Sequence, residues 1–458
     1  MPPLRTAVLA LLAALAGCSG GSAPAPPPPE QARQSAPAAP PADASAIVAA
    51  ARPVTGAASD YDDVLAAAGA AQRVLLGEST HGTHEYYHER GRITERLIAE
   101  HGFNAVAIEG DWTPTWRLNQ YVRGLGDDRS AEQAIGGYTR FPEWMWPNAE
   151  FRDFVERLRR LNMARPEAER VGLYGMDVYD LFDAAEAVTA WLRQVNAAAA
   201  QRVERHYDCF DSYRGSTHAY GEATQGRANC RTQAEAAVAE VRRVPRPDEP
   251  AAAERHFAAV RAAASVAAAE AYFRTAYAGS LAWNVRDQRM AETVEEIAAH
   301  QEELSGRPGK VVMWSHNTHS GDARATFAAN RGELNLGQLM RQRHGEGAFL
   351  VGFFSYTGTV FAAPEWDRPG RVYDMKPALA GSYSALFHGT GIPAFSLLIR
   401  GNAEVARLLK GPMLERAIGV VYHPQSERLS HYFDAELSGQ FDAAIYFDRS
   451  KAVVPLRR

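Results

Sequence analysis

Residues Arg73–Gly110 read RVLLGESTHGTHEYYHERGRITERLIAEHGFNAVAIEG, and this stretch decides the fold. Val74–Glu78 and Asn104–Glu109 are short apolar runs of the kind that form strands covered on both faces. Between them lie a loop, Ser79–Thr83, and a stretch, His84–His101, whose apolar spacing predicts a helix. Gly102 stands where a glycine closes a helix in the left-handed conformation. Strand, helix, strand is a βαβ unit, and its right-handed crossover lays the strands parallel. Glu78 and Glu109 then sit at carboxyl ends of strands, the edge at which ligands of open α/β sheets bind. His81 follows Glu78 by three residues. On the helix, Tyr86, Arg90, Ile93 and Leu97 share one face. A guanidinium buried on that face requires carboxylate partners, and Glu78 and Glu109 are expected to supply them.

Further apolar runs at Val171–Tyr174, Val311–Trp314, Phe349–Phe354, Ser396–Ile399 and Gly419–Tyr422 read as additional buried strands, and Ala443–Phe447 as a strand closing the sheet at an edge. Residues 183–305 are Ala-rich with charged punctuation, broken by Pro245 and Pro247. That composition predicts a helical insertion. The expected fold class is α/β, with a mainly parallel central sheet flanked by helices.

His316 follows the Val311–Trp314 strand and Asp177 follows Val171–Tyr174, so both are candidates for the same crevice. Histidines and carboxylates at one strand edge suit water activation. A neutral imidazole takes a proton near neutral pH, and a carboxylate holds its tautomer and stabilises the imidazolium. The competing reading of each acid is a structural ion pair, and of Arg90 a purely structural role in ordering the acids. His319 either contacts substrate or caps the next helix. Glu78, His81, Glu109 and His316 also make a conceivable ligand set for a divalent metal. Their spacing has no metal-specific signature, so a site without metal or other cofactor is expected.

Gly77-Glu78-Ser79-Thr80-His81-Gly82, Arg90 and Ala107-Ile108-Glu109 resemble the first motifs of the erythromycin esterase family. Trp314-Ser315-His316-Asn317-Thr318-His319 resembles its later histidine motif. Trp283-Asn284, Arg286-Asp287 and Met290 match as well, as do Tyr422-His423-Pro424 and His431-Tyr432-Phe433. The resemblance spans residues 60–457. It implies hydrolysis of the macrolactone ester of macrolide antibiotics, with His81 as general base for water, Glu78, Arg90 and Glu109 around it, and His316 completing the site. A macrolide is large and mostly apolar, so a wide aromatic pocket is expected. Trp112, Trp116, Trp144 and Trp146 are the candidates to line it. Packing of helices over the sheet is the alternative, expected for at least two of the four.

The chain has 458 residues, 46% hydrophobic and 22% charged, with a net charge of −5. That is ordinary globular composition, and it gives no basic footprint for nucleic acid. Residues 1–18 read as a signal peptide ending in Leu15-Ala16-Gly17-Cys18, which resembles a bacterial lipobox with Cys18 as the acylated residue. Residues 19–45 are a Gly/Ser then Pro/Ala tether, leaving residues 46–458 for the hydrolase domain. The expected location is the periplasmic face of an outer membrane, by a lipid anchor. Of three cysteines, Cys209 and Cys230 then remain as a pair for a disulfide in an oxidising compartment.

Three rivals are distinguishable. The single Gly-x-Ser-x-Gly-like stretch lies at Gly17–Gly21, in the leader, so a serine hydrolase has no nucleophile elbow. His84-Glu85-Tyr86-Tyr87-His88 matches the His-Glu-x-x-His pattern of zinc metalloproteases, but Thr94 stands where the longer pattern needs a third histidine. A non-catalytic surface lipoprotein would bind a small molecule in the same crevice and tolerate loss of His81.

Overall fold

The structure, a computed structural model, describes residues 44–456 apart from 227–228 and 279–280. The leader, Cys18 and the tether up to residue 43 lie outside the described residues. Eleven strands are present among them: β1 Arg52–Pro53, β2 Arg73–Leu76, β3 Ala105–Ile108, β4 Gly172–Gly175, β5 Val311–Trp314, β6 Ala348–Ala362, β7 Arg371–Met375, β8 Ala394–Leu398, β9 Met413–Arg416, β10 Tyr432–Ala435 and β11 Ala443–Ser450. Nine form one sheet, ordered β1-β8-β11-β6-β2-β5-β3-β4, with β7 paired to the far end of β6. The neighbours from β11 to β4 are all parallel. β1, β7 and β8 pair antiparallel.

The short central strands are fully buried because both faces are covered. Val74 and Leu76 of β2 face one apolar core, with Tyr87, Ile93, Phe151 and Phe154. Leu75 faces the other, with Tyr174, Val266, Met290 and Ile297. This is the sandwich of helices on both sides that apolar runs without alternation require. The helix His84–His101 has the expected bounds, and Gly102 follows it at φ 72°. No described helix is long and apolar enough to cross a membrane.

Three expectations are corrected. β2 and β3 are parallel but not adjacent, because β5 returns from the far side of the helical insertion and lies between them. Ala443–Phe447 is not an edge: β11 is sandwiched between β6 and β8, where its residues Ala443–Tyr446 are wholly buried. Gly419–Tyr422 forms no strand. Ile418 and Tyr422 are apolar because they fill a small separate core with Val360 and Tyr373, and the segment makes only single bridges, Ile418 to Thr80 and Val421 to Ala363. The pairing falls instead on its flanks, β9 and β10.

The described residues between 182 and 305 are mostly helical, as their composition demands. The long helices Pro250–Tyr277 and Ala282–Ser305 are separated from earlier ones near Pro245 and Pro247. Glu254 fastens this insertion to the sheet, accepting hydrogen bonds from Tyr174 Oη at 2.7 Å and Asn119 Nδ2 at 2.7 Å. Cys209 and Cys230, within it, are joined by a disulfide with Cα atoms 5.8 Å apart.

Candidate functional site

Four neighbouring strands, β2, β5, β3 and β4, each release a polar residue just beyond the carboxyl end. In sheet order these are Glu78, His316, Glu109 and Asp177. The loop after β2 turns His81 back so that its Nδ1 lies 2.9 Å from Glu78 Oε1. Arg90, wholly buried on the following helix, donates from Nη2 to Glu78 Oε2 at 2.7 Å. Its guanidinium also lies over the rings of Tyr87 and Trp314, 4.7 and 4.8 Å from their centroids. Glu78 is thus fixed from both sides, and a carboxylate at Nδ1 assigns the proton of a neutral His81 to that nitrogen. Nε2 has no hydrogen-bond partner among the described residues.

The ring of His316 lies 4.9 Å from that of His81. Its Nδ1 faces Thr318 Oγ1 at 2.9 Å and accepts from the Thr318 backbone N–H at 3.3 Å, which places the proton on Nε2. That nitrogen is buried and without a partner. Burial, reinforced by His81, pushes the His316 pKa well below the ordinary range, so the ring is neutral.

Contrary to the expectation that both acids would partner Arg90, it pairs with Glu78 alone among the described residues. Glu109 is held by a different arginine, because β5 separates the strands and the second acid lies toward the insertion. Arg286 Nη2 donates to Glu109 Oε1 at 2.7 Å. The same guanidinium clamps Asp177, with Nε to Oδ1 at 2.8 Å and Nη2 to Oδ2 at 2.7 Å, and donates from Nη1 to His319 Nε2 at 2.8 Å. His319 Nδ1 lies 2.8 Å from Asp287 Oδ1, and its ring stacks on Trp283 at 4.3 Å. The other oxygen of Glu109 accepts the His316 backbone N–H at 2.8 Å. Burial raises the Glu109 carboxyl, but His319, Arg286 and His81 outweigh it and hold the group well below the usual carboxylate range. Both oxygens of Glu109 and of Asp177 are occupied by protein, so these acids set the positions of His316 and Arg286.

The loop carrying His81 is braced by backbone. Its amide donates to Ile418 O, and Gly82 O accepts from Phe361 N and Val453 N, each at 3.0 Å. A Cβ on Gly82 would stand 1.9 Å from the Phe361 carbonyl oxygen. Gly82→Ala is therefore expected to displace the loop and destabilise the protein by about 1–3 kcal/mol, the usual cost of overpacking. A lowered Tm together with a larger fractional loss of hydrolysis checks it, whereas a wild-type Tm contradicts it.

Behind His316 lies an acid that sequence reasoning missed. Asn317 donates from its backbone to Glu78 O at 2.7 Å and from Nδ2 to Glu415 Oε1 at 3.2 Å. Glu415 is buried on β9 with Oε2 unpartnered, and burial pushes its carboxyl up to about 8. Between the unfolded carboxylate value of about 4.3 and that folded value, the folded state alone holds the proton. Stability therefore falls as pH rises through this window. Glu415→Gln removes that dependence. The Tm difference between variant and wild type is expected to move in the variant's favour from about pH 5 to about pH 9. A difference independent of pH contradicts the assignment.

The tryptophans are placed differently from one another. Trp112 is buried, stacked on Tyr174 at 5.8 Å with Nε1 donating to Ala258 O. Trp112 and Trp116 border a hollow of about 130 Å³ against Trp191 and Ala258, and that lining contains none of Glu78, His81, Glu109 and His316. Trp146 is also packing, its Nε1 donating to the Glu109 carbonyl at 3.1 Å. Trp144 packs on Phe361 at 5.3 Å. Trp283, stacked on His319, joins the site cluster. Among the described residues no three His, Cys, Asp or Glu side chains form a group able to hold a metal ion. In the His-Glu-x-x-His stretch, Glu85 Oε2 accepts a hydrogen bond from the Lys451 amide at 2.8 Å.

The fold and this strand-edge cluster define an α/β protein equipped for acid–base chemistry. A sequence model described as Erythromycin esterase matches residues 98–450, well over half of the chain. The protein belongs to the erythromycin esterase family, a family of hydrolases. The match takes in Glu109, Arg286, His316 and His319, while Glu78, His81 and Arg90 precede it. Among solved structures, a protein from Bacillus cereus is 18% identical over 91% of this chain and 98% of its own, with a TM-score of 0.71. A protein described as a succinoglycan biosynthesis protein is 19% identical over 90% of this chain and 97% of its own, with a TM-score of 0.70. A mutant of the erythromycin esterase EreC in its open conformation is 15% identical over 85% and 93%, with a TM-score of 0.59. At these identities the likeness is one of fold.

Proposed function

We propose that the protein hydrolyses a carboxylic ester within a macrolactone, by direct attack of a water deprotonated by His81. The observation that carries this is the pinned histidine. Arg90 fixes Glu78, Glu78 fixes Nδ1 of His81, and Nε2 is left without a protein partner beside a second, neutral imidazole. In the reaction, Nε2 takes a proton from water as the water oxygen bonds to the ester carbonyl carbon. Glu78 stabilises the resulting imidazolium. The His316 Nε2–H, a buried donor without a protein acceptor, donates to the oxyanion. The tetrahedral intermediate collapses, the C–O bond to the alcohol breaks, and His81 returns its proton to the leaving oxygen. The products are one acid and one alcohol, which in a lactone remain in one molecule.

Glu78, Arg90, Glu109 and Arg286 act through other residues and are positioning residues in this scheme. Asp177 and His319 complete the framework around Arg286. The macrolide substrate class rests on family membership, supported by the water-activating geometry. The proposal also places the enzyme outside the cytoplasm, lipid-anchored through Cys18 at the outer membrane; the Cys209–Cys230 disulfide supports export.

The test is incubation of the protein with erythromycin and with a panel of simpler lactones and esters, followed by mass. Gain of one water on erythromycin is expected. Gain only on other esters would remove the macrolide assignment, and no gain on any would overturn the hydrolytic reading.

A further inference from the structure

The His-Glu-x-x-His stretch is left unused by this chemistry, yet its two histidines are built as a chelating pair. His84 and His88 are four residues apart at the start of the helix His84–His101, so they stand on one face, one turn apart. Their rings are parallel within 9°, with centroids 5.8 Å apart. The side chains are 41% and 49% exposed, on the solvent side of a helix whose other face buries Arg90.

His84 has the kind of carboxylate partner that orients a metal-ligating histidine. Its Nδ1 lies 2.8 Å from Oε1 of Glu150, a carboxylate 5% exposed. The other oxygen of Glu150 accepts the Val454 amide at 3.2 Å, so the acid is itself fixed. A carboxylate at Nδ1 orients a ligating imidazole and makes it more basic, and it directs the Nε2 lone pair outward. His88 makes no hydrogen bond among the described residues, and its nearest acid, Glu89 at 3.8 Å, is beyond hydrogen-bond reach. The surrounding charges are mixed: Glu85, Glu89 and Glu150 against Lys451, Arg92 and Arg157.

We propose that His84 and His88 bind one divalent transition-metal ion of the imidazole-preferring kind, such as Ni²⁺, Cu²⁺ or Zn²⁺. A turn of the exposed His88 side chain would let one of its nitrogens and His84 Nε2 each lie at the metal–nitrogen distance of about 2.1 Å from one ion. No third protein ligand joins them among the described residues, so water completes the shell. The ion would clamp the first turns of the helix that follows the His81 loop. The site is separate from ester hydrolysis and does not make the protein a protease.

The experiment is calorimetric titration of tag-free, chelator-stripped protein with Ni²⁺ and with Zn²⁺, beside His84→Gln, His88→Gln and His81→Ala. One equivalent is expected to bind the wild type and His81→Ala alike, and each of the first two variants to bind at least about tenfold more weakly. Both positions are half-exposed, and unchanged circular dichroism confirms that the variants fold. Equal binding by wild type and His88→Gln overturns the proposal. So does absence of uptake by the wild type, and so does loss of binding in His81→Ala, which would move the ion to the hydrolytic crevice.

Discussion

Arg286→Met is expected to destabilise the protein by about 3–5 kcal/mol, the cost of breaking a buried ion pair by removing one partner. Arg286 is 7% exposed and makes hydrogen bonds to Glu109, Asp177 and His319 at once. Methionine fills much of its volume but leaves two buried carboxylates without the guanidinium that pairs them. The pH dependence fixes the cause. In the wild type the Glu109 carboxyl is depressed in the folded state, so its stabilisation is present above the unfolded value of about 4.3 and is lost as pH falls toward the folded one. In the variant the carboxyl loses Arg286 but keeps His319 and His81, so it is depressed less and a smaller stabilisation is lost as pH falls below about 4.3. The gap in unfolding free energy should therefore be wide at neutral pH and narrow as pH falls below about 4.3. Denaturant unfolding at several pH values measures it. A gap that does not change with pH would show that Arg286 contributes packing and not charge.

His81→Ala is expected to lower kcat by about a hundredfold to ten-thousandfold, the range for loss of a general base. Substrate affinity and folding should change little. The His81 side chain is 9% exposed at a loop, and Glu78 retains Arg90 at 2.7 Å when the imidazole is gone. A merely structural histidine would lower stability and activity together. A binding protein without chemistry would lose nothing measurable in affinity. Kinetics on an ester that the wild type cleaves, with Tm measured alongside, separate these cases. A loss in kcat smaller than about tenfold would remove His81 from the role.

The part of the site built within one βαβ unit was legible in the sequence. Glu78, His81 and Arg90 lie within thirteen residues. Helix periodicity put Arg90 on a buried face, and a buried arginine announces an acid. The same signal exists for Arg286. It shares a buried face with Met290, Val294 and Ile297 in the helix Ala282–Ser305, and an arginine in that register demands a carboxylate. Its partner Glu109 is 177 residues away, and only the insertion of β5 between β2 and β3 brings the two together. Local pattern reveals that a charge is buried; strand order decides which opposite charge meets it. This is why Arg90 was assigned both acids when it holds one.

Strand order also explains the reading of Ala443–Phe447. An apolar run of five residues reads as a strand, but the pattern carries no information on how many neighbours a strand has. Trp112 and Trp146 illustrate a third limit. A tryptophan stacked in a core and one lining a pocket have the same composition and can share the same spacing. Glu415 belonged to no motif, and although Met413-Leu414 and Ala417-Ile418 around it are apolar, nothing local says what the chain folds over it.

The proposed hydrolysis depends on His81 Nε2 taking a proton from water. Imidazole added to the His81→Ala variant tests this most directly, because it returns the base without returning the side chain. The predicted result is hydrolysis of a wild-type substrate that rises with imidazole concentration from a strongly reduced baseline, with the ester gaining one water. A His81→Ala variant that hydrolyses the ester at the wild-type rate without imidazole, or an inactive one that imidazole leaves unchanged, would contradict it.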